Sequence, residues 1–121
     1  MKLYTISMSQ WRKAKSMDVE LVDITVKSGI KAFAPESALV RLYKEGGISE
    51  EHYTQLYEKR IRNELVERPE VFQVLLDKDT SIALACYCKA GTFCHRHLFI
   101  DILSEIADDN GYDIEHCGEI V

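Results

Sequence analysis

The sequence predicts a single α/β domain with a mostly parallel sheet of four to five strands flanked by helices. Segments of strand composition alternate along the chain with segments of helical periodicity, which is the order of right-handed βαβ units. The length of 121 residues suits one domain with a real hydrophobic core. No repeat, low-complexity tract or linker divides the sequence, so residues 1–121 are expected to form one unit.

The first part of the chain predicts two strands and a short helix. "KLYTIS" (2–7) has strand composition, and Ser9 is placed to cap a helix over "QWRKAKSM" (10–17). "VELVDITV" (19–26) is a β-branched run typical of a strand that is covered on both faces. "KSGIKAFA" (27–34) has no period and contains glycine, so a loop is expected there.

The middle of the chain predicts helices. Pro35 suits the first helical position ahead of "ESALVRLYKE", and Gly46–Gly47 ends that helix. Ser49 is placed to cap the next helix, "EEHYTQLYEKRIRNELVER". Pro69 breaks or restarts this helix before "EVFQVLLDK".

The last part of the chain predicts the innermost strand, and the strand order indicates where a ligand site is expected. "SIALACYC" (81–88) is the most apolar strand and is expected in the centre of the sheet. The helix "CHRHLFIDILSEIADDNG" and a final strand over "DIEHCGEI" follow it. Parallel sheets bind ligands outside the carboxyl ends of their strands. The site is therefore expected at Ser7, 23–31, 89–93 and 116–119.

Composition limits the classes of function. The net charge of −5 and the pI of about 5.3 argue against broad, non-specific DNA binding, which needs a basic surface. A small basic pocket is still compatible with that charge. The sequence shows no secretory signal and no apolar run long enough for a membrane span, so a cytoplasmic protein that does not bind membranes is expected. The four cysteines are then expected to be reduced thiols.

The stretch "CYCKAGTFCHRH" (86–97) suggests an anion-binding corner. A strand that turns into a helix aims free backbone N–H groups outward, and the amides of residues 92–94 are expected to do so here. Gly91 permits a positive φ and Thr92 is a candidate cap. Lys89 and Arg96 supply positive charge, and His95 is expected to face the sheet. This corner predicts a phosphate site.

The same stretch supports two other interpretations, a reactive thiol and a metal site. Cys94 at a helix N-terminus, beside histidine and arginine, would have a lowered pKa and nucleophilic character. However, seven residues separate Cys88 from Arg96, whereas a phosphatase-type loop has five. Cys86 is interpreted as a core residue.

A metal site is the weaker interpretation of this segment. The cysteines and histidines of residues 86–97 and 116–117 are nominal ligands, but no paired CxxC motif is present. Cys86 and Cys88 lie in one predicted strand and are not expected to chelate an ion together with residues at the following helix. Neither a metal nor a cofactor is therefore predicted.

Polar residues follow the second strand. Asp23 and Thr25 are candidates for a sugar hydroxyl or another polar edge of a ligand, and Asp23 and His95 are candidates for a general base. The alternative for Asp23 is a loop cap. Lys27 and Ser28 extend this polar segment.

Aromatic residues occur in the long helix, where Tyr53 and Tyr57 share a face. They are candidates for the wall of a base-binding pocket, although aromatic stripes at this spacing are more often core.

The segment "SIALACYCKAGTFCHRHLFIDIL" resembles the signature of the domain of unknown function 488. "VELVDITVKSG", "FAPESALV" and "YKEGGISEEHYTQLYEKRIR" are similar to its small bacterial and phage branch. The resemblance covers almost the whole chain and implies a compact Rossmann-like α/β domain. It implies no settled activity. The positions that it marks are Asp23, Lys27, Ser28, Tyr53, Tyr57, Cys88, Cys94, His95 and Arg96.

These observations lead to one function hypothesis and two rivals. The chain is expected to bind a nucleotide-type ligand, as a phage-encoded sequestering protein would. The rivals are an enzyme on the same site, either an N-glycosidase or hydrolase of nucleotides or a thiol-dependent enzyme with Cys94 or Cys88, and a protein-binding inhibitor module. A homo-oligomer is left open. The predicted ligand contacts are Asp23, Thr25, Lys27, Ser28, Tyr57, Cys88, Lys89, Thr92, Cys94, His95 and Arg96.

Overall fold

The computed structural model describes residues 1–89 and 91–121, and in this part of the chain four parallel strands form one sheet in the order β2-β3-β1-β4. The predicted α/β class with a parallel, Rossmann-like sheet is confirmed. The elements are β1 (Lys2–Ser7), α1 (Trp11–Ser16), β2 (Glu20–Asp23), α2 (Ser37–Lys44), α3 (Glu50–Glu67), α4 (Pro69–Leu76), β3 (Ile82–Cys86), α5 (His95–Asp109) and β4 (Glu115–Ile120).

The strand register brings the predicted site segments to one edge of the sheet. Cys86 at the end of β3 pairs with Ser7 at the end of β1, and Asp23 at the end of β2 pairs with Ala85. The loop that leads from this edge into α5 contains Ala90, which lies outside the described residues. The carboxyl ends of β1, β2 and β3 therefore meet next to the start of α5.

The core has two parts because successive strand residues point to opposite faces. Ile82 and Leu84 pack into the larger cluster, together with residues of α3, α4 and α5. There the rings of Phe33 and Phe99 stack with their centroids 4.7 Å apart. Ala83 and Ala85 face the smaller cluster on the side of α1. Cys86 continues the alternation onto the face of the larger cluster.

Two predicted helix starts are wrong. Ser9 lies in a 3-10 turn, where its hydroxyl pairs with that of Ser7 at 3.2 Å, and it does not cap α1. Pro35 precedes the cap of α2, because Glu36 is still extended and the first helical residue is Ser37.

The predicted starts of the next two helices are confirmed. The hydroxyl of Ser49 accepts a hydrogen bond from the backbone N–H of His52 at 3.1 Å, so it caps α3. Pro69 begins α4, where its missing N–H costs no helical hydrogen bond.

The predicted strand over 19–26 is shorter in the structure. Residues 20–23 pair with β3, and Ile24 still donates to the carbonyl of Ala85 at 3.1 Å. Thr25 then begins a turn, because its hydroxyl and the hydroxyl of Ser28 lie 3.0 Å apart. Within the described residues, no helix has the length and apolar character needed to cross a membrane.

Candidate ligand site at the carboxyl edge of the sheet

A cavity of about 530 Å³, called the main cavity below, opens at the carboxyl edge of the sheet. It lies between the turn after β2, helix α2, the end of β3 and the start of α5. Phe93 and Tyr43 pack with their ring centroids 5.1 Å apart, and Phe93 meets Tyr53 edge to face at 5.3 Å. Its apolar and aromatic wall comprises Val26, Val40, Tyr43, Tyr53, Tyr87 and Phe93.

The charged side chains that line the main cavity are mostly cationic. Lys27 comes from the turn after β2, whereas Arg41 and Lys44 come from α2, and all three are exposed. Glu45 contributes one carboxylate. This lining combines a flat apolar wall with several positive charges.

Three sulfur atoms meet at the inner end of the main cavity. The Sγ atoms of Cys86, Cys88 and Cys94 all lie within 4.8 Å of one another, and we call these residues the thiol cluster. Cys94 is the N-cap of α5 and has an extended backbone, so it precedes the helix rather than lying on it. The expectation that the strand cysteines stay apart from the helix start is therefore wrong.

Arg96 occupies the space behind the thiol cluster, and its side chain is 0% exposed. Nε and Nη2 donate to the two carboxylate oxygens of Glu119 at 3.1 and 2.7 Å. Nη2 also donates to the carbonyl of Lys89 at 3.2 Å. Nη1 donates to the sulfur of Cys86 at 2.8 Å and to the carbonyl of Cys88 at 3.1 Å.

These contacts use all the N–H donors of the guanidinium. The residues at the start of α5, Cys94 to Arg96, are also buried. A phosphate therefore finds no free donor on the guanidinium of Arg96. The predicted ligand contact by Arg96 is wrong, because the side chain serves as an internal clamp between β3, its following loop and β4.

The pKa values of the three thiols in the cluster are shifted in different directions. A hydrogen bond from the thiol of Cys94, together with the guanidinium of Arg96, lowers the pKa of Cys86 although burial opposes this. The pKa of Cys94 is raised, because its thiol donates to Cys86 and is buried. Burial also raises the pKa of Cys88. The lowered pKa thus falls on Cys86 and not on Cys94, where the sequence predicts it.

His95 lines the main cavity and faces the sheet, as its helical position predicts. Its Nε2 lies 2.6 Å from the carbonyl oxygen of Ile24. A carbonyl only accepts hydrogen bonds, so we assign the proton to Nε2 and a free lone pair to Nδ1, which lies 3.6 Å from the sulfur of Cys94. Burial lowers the pKa of His95 to about 4, so the imidazole is neutral at pH 7.

The carboxylate of Asp23 accepts hydrogen bonds from residues of the turn that follows β2. Its Oδ1 accepts from the backbone N–H of Thr25 at 2.9 Å, and its Oδ2 accepts from the hydroxyl of Ser28 at 2.6 Å. Asp23 and Ser28 line a second cavity, whereas Thr25 and Lys27 line the main cavity. The loop-cap alternative for Asp23 is thus what the structure shows, and Asp23 and Ser28 are not among the residues of the main cavity.

Three other predicted contacts also lie away from the main cavity. Tyr57 is buried, and its hydroxyl donates to the carbonyl of Phe33 at 2.6 Å, so it is a core residue. The hydroxyl of Thr92 donates to the carbonyl of Lys89 instead of capping α5. Lys89 and Thr92 are exposed and stand outside the cavity lining. Of the two tyrosines predicted for the aromatic wall, Tyr53 lines the main cavity and Tyr57 does not.

The residues that sequence reasoning missed come mainly from α2. Val40, Tyr43 and Lys44 recur at helical spacing and form one face of that short helix. This spacing indicates that the three residues share one face of the helix, but the sequence does not say that this face lines a cavity at the edge of the sheet.

A family model described as the active DUF488-N3 subclade matches residues 8–107. The matched range contains the thiol cluster, Arg96 and the walls of the main cavity. No curated protein and no solved structure matches the chain. The resemblance predicted from the Cys-His-Arg segment is confirmed at the level of the family.

Proposed function

The chain belongs to the DUF488-N3 family, and we propose that it binds a nucleotide-type, phosphate-carrying ligand in the main cavity. The cavity volume of about 530 Å³ is in the range of small-molecule sites. Its place at the carboxyl ends of parallel strands is where α/β proteins bind such ligands.

The observation that carries the proposal is the pairing of an aromatic wall with a cationic rim. The rings of Tyr43, Tyr53 and Phe93 supply flat apolar surface, on which a base stacks favourably. Lys27, Arg41 and Lys44 supply positive charge for a phosphate. Within residues 1–89 and 91–121 none of these three cations forms a salt bridge, so their charges are available to a ligand.

Phosphate recognition is thereby assigned to α2 and the turn after β2, and no longer to the start of α5. The partly open cavity suits a ligand whose base enters while its phosphate stays near solvent. The thiol cluster would then lie against the inner end of the ligand.

Isothermal titration with mono-, di-, tri- and cyclic nucleotides tests the proposal. We expect at least one member of this panel to bind with 1:1 stoichiometry, and the affinity to fall as salt is added, because phosphate contacts are ionic. Replacing Arg41 and Lys44 together by alanine should weaken binding about tenfold or more, since charged hydrogen bonds contribute about 1.5–3 kcal/mol each.

The matched control is Lys15→Ala, which removes an exposed lysine of α1 outside the main cavity. It should leave the affinity unchanged. If no member of the panel binds, or if the control weakens binding as much as the double variant, the proposal is wrong.

Chromatography of the bound nucleotide after incubation separates binding from turnover. Recovery of the unchanged nucleotide from the denatured protein supports a sequestering protein. A new product identifies an enzyme that uses the same cavity, and both results require the ligand to bind first.

A further inference from the structure

We infer that Cys86, Cys88 and Cys94 bind one thiophilic metal ion, and that Zn²⁺ is the ion their donor set suits. The three sulfurs lie within 4.8 Å of one another. In a tetrahedral zinc site with Zn–S bonds of about 2.3 Å, the sulfurs are about 3.8 Å apart. The thiol cluster therefore reaches metal-binding geometry with side-chain shifts of about an ångström or less.

The surroundings of the thiol cluster differ from those of ordinary buried cysteines. A core cysteine packs as a small apolar group, whereas here a guanidinium N–H of Arg96 donates to the sulfur of Cys86 at 2.8 Å. Such donors to a ligating sulfur form the outer shell of metal–thiolate sites. Three thiolates and one divalent ion carry a net charge of −1, and the guanidinium of Arg96, which also holds Glu119, donates to this site through its Nη1 edge.

His95 also fits an ion at this place. Its Nε2–H is fixed on the carbonyl of Ile24, and its unprotonated Nδ1 lies 3.6 Å from the sulfur of Cys94. An unprotonated ring nitrogen therefore faces the thiol cluster beside the proposed metal position.

The three cysteines leave one coordination position free, and all three line the main cavity. Zinc sites with three protein ligands and an open fourth position are typical of catalytic rather than structural sites. A water molecule or a polar atom from the cavity would complete the coordination. This inference does not depend on the identity of the cavity's ligand.

The donor set also discriminates among metals. Magnesium and calcium prefer oxygen ligands, whereas thiolates select soft or borderline ions such as Zn²⁺. Iron–sulfur clusters are usually held by four cysteines. Cys117 lies on β4, and its thiol points to the carbonyl of Glu115 rather than belonging to the thiol cluster.

Titration of the reduced, metal-free protein with ZnCl₂ against a chromophoric chelator tests the inference. We expect one Zn²⁺ per chain. Cys88→Ser, which changes the most exposed member of the cluster, should lower the affinity about tenfold or more, since even outer-shell changes cost that much. Cys117→Ser is the matched control and should bind like the wild type. Circular dichroism verifies that each variant is folded.

A second measurement uses Co²⁺ in place of Zn²⁺ and iodoacetamide as a thiol probe. Co²⁺ should give thiolate-to-metal charge-transfer absorption that Cys88→Ser reduces. Zn²⁺ should protect Cys86, Cys88 and Cys94 from alkylation while Cys117 still reacts.

Absence of zinc binding by the reduced wild-type protein would overturn the inference. Equal loss of affinity in Cys117→Ser would overturn it too. Zinc binding without nucleotide binding would refute only the proposed function, and nucleotide binding without zinc binding would refute only this inference.

Discussion

At the scale of single residues, Arg96 shows what a local sequence motif can and cannot predict. The Cys-His-Arg segment lies at the start of α5, beside the main cavity. The partner of Arg96 is Glu119, which β4 brings into place through its pairing with Thr5 of β1. That pairing depends on the strand order, which local sequence patterns do not encode. Because the sequence does not reveal this partner, the motif alone suggests that the guanidinium of Arg96 is free to bind a ligand.

Replacing Arg96 by methionine should destabilise the protein by about 3–5 kcal/mol, because it leaves a partly buried carboxylate without its partner. Urea unfolding measures the change. The matched control is Arg62→Met, whose ion pair with Glu105 lies at the surface and should contribute no more than about 1 kcal/mol. Equal stability of the two variants would show that the guanidinium clamp is not a structural element.

The Arg96–Glu119 pair also predicts an acid dependence of stability. Burial by itself raises the pKa of Glu119, but hydrogen bonds from Arg96 and Thr5 outweigh it and hold the pKa below its ordinary value of 4.5. A carboxyl group with a lowered folded-state pKa stabilises the fold above its unfolded pKa, and the stabilisation is lost as the pH falls through the folded value. The free energy of unfolding should therefore decrease below about pH 4.5.

Glu119→Gln isolates this contribution, since glutamine does not titrate. Urea unfolding across the acid range should show a shallower decrease for the variant than for the wild type. Identical acid dependence of the two proteins would contradict the assignment.

At the scale of elements, the turn after β2 illustrates how a residue is used for structure instead of ligand binding. The sequence predicts a loop from residue 27, whereas the turn already begins at Thr25, inside the predicted strand. The carboxylate of Asp23 closes this turn onto Thr25 and Ser28. Gly29 completes it, because a Cβ atom there would lie 2.3 Å from the backbone nitrogen of Thr25 and 2.7 Å from the carbonyl oxygen of Asp23.

Gly29→Ala should destabilise the protein by about 2–3 kcal/mol or more, since the clash is with backbone that cannot move aside cheaply. It should also weaken nucleotide binding, because Thr25 and Lys27 line the main cavity. Gly46→Ala is the control: its φ is +78° but no atom lies within 4 Å of its Cβ position, so the cost is limited to about 1–2 kcal/mol of backbone strain. Thermal and urea unfolding compare the two, and a smaller effect at Gly29 than at Gly46 would contradict the description of this turn.

At the scale of the whole molecule, the alternation of strands and helices was sufficient to predict the fold class and the edge that carries the site. It was also sufficient to place β3 inside the sheet, since a strand that is apolar throughout must be covered on both faces. The wall of the main cavity was not predictable in the same way. Tyr43 and Phe93 meet through tertiary packing of α2 against the start of α5, and a helix face alone does not specify its partner.

The distribution of charge over the molecule likewise shows what composition can and cannot predict. The chain carries a net charge of −5, yet Lys27, Arg41 and Lys44 gather at one cavity. The acidic composition argues against a broad nucleic-acid surface but is compatible with a small basic pocket. The main cavity, with these cations at its rim and the thiol cluster at its inner end, is the proposed ligand site.

The most direct measurement is a titration of ¹⁵N-labelled protein with the tightest-binding nucleotide of the panel, followed by amide chemical shifts. We expect the shifts to be concentrated in residues 25–27, 40–45, 86–88 and 93–95, which surround the main cavity. Shifts centred on the second cavity, around Val71 and Val74, or spread evenly over the surface would contradict it.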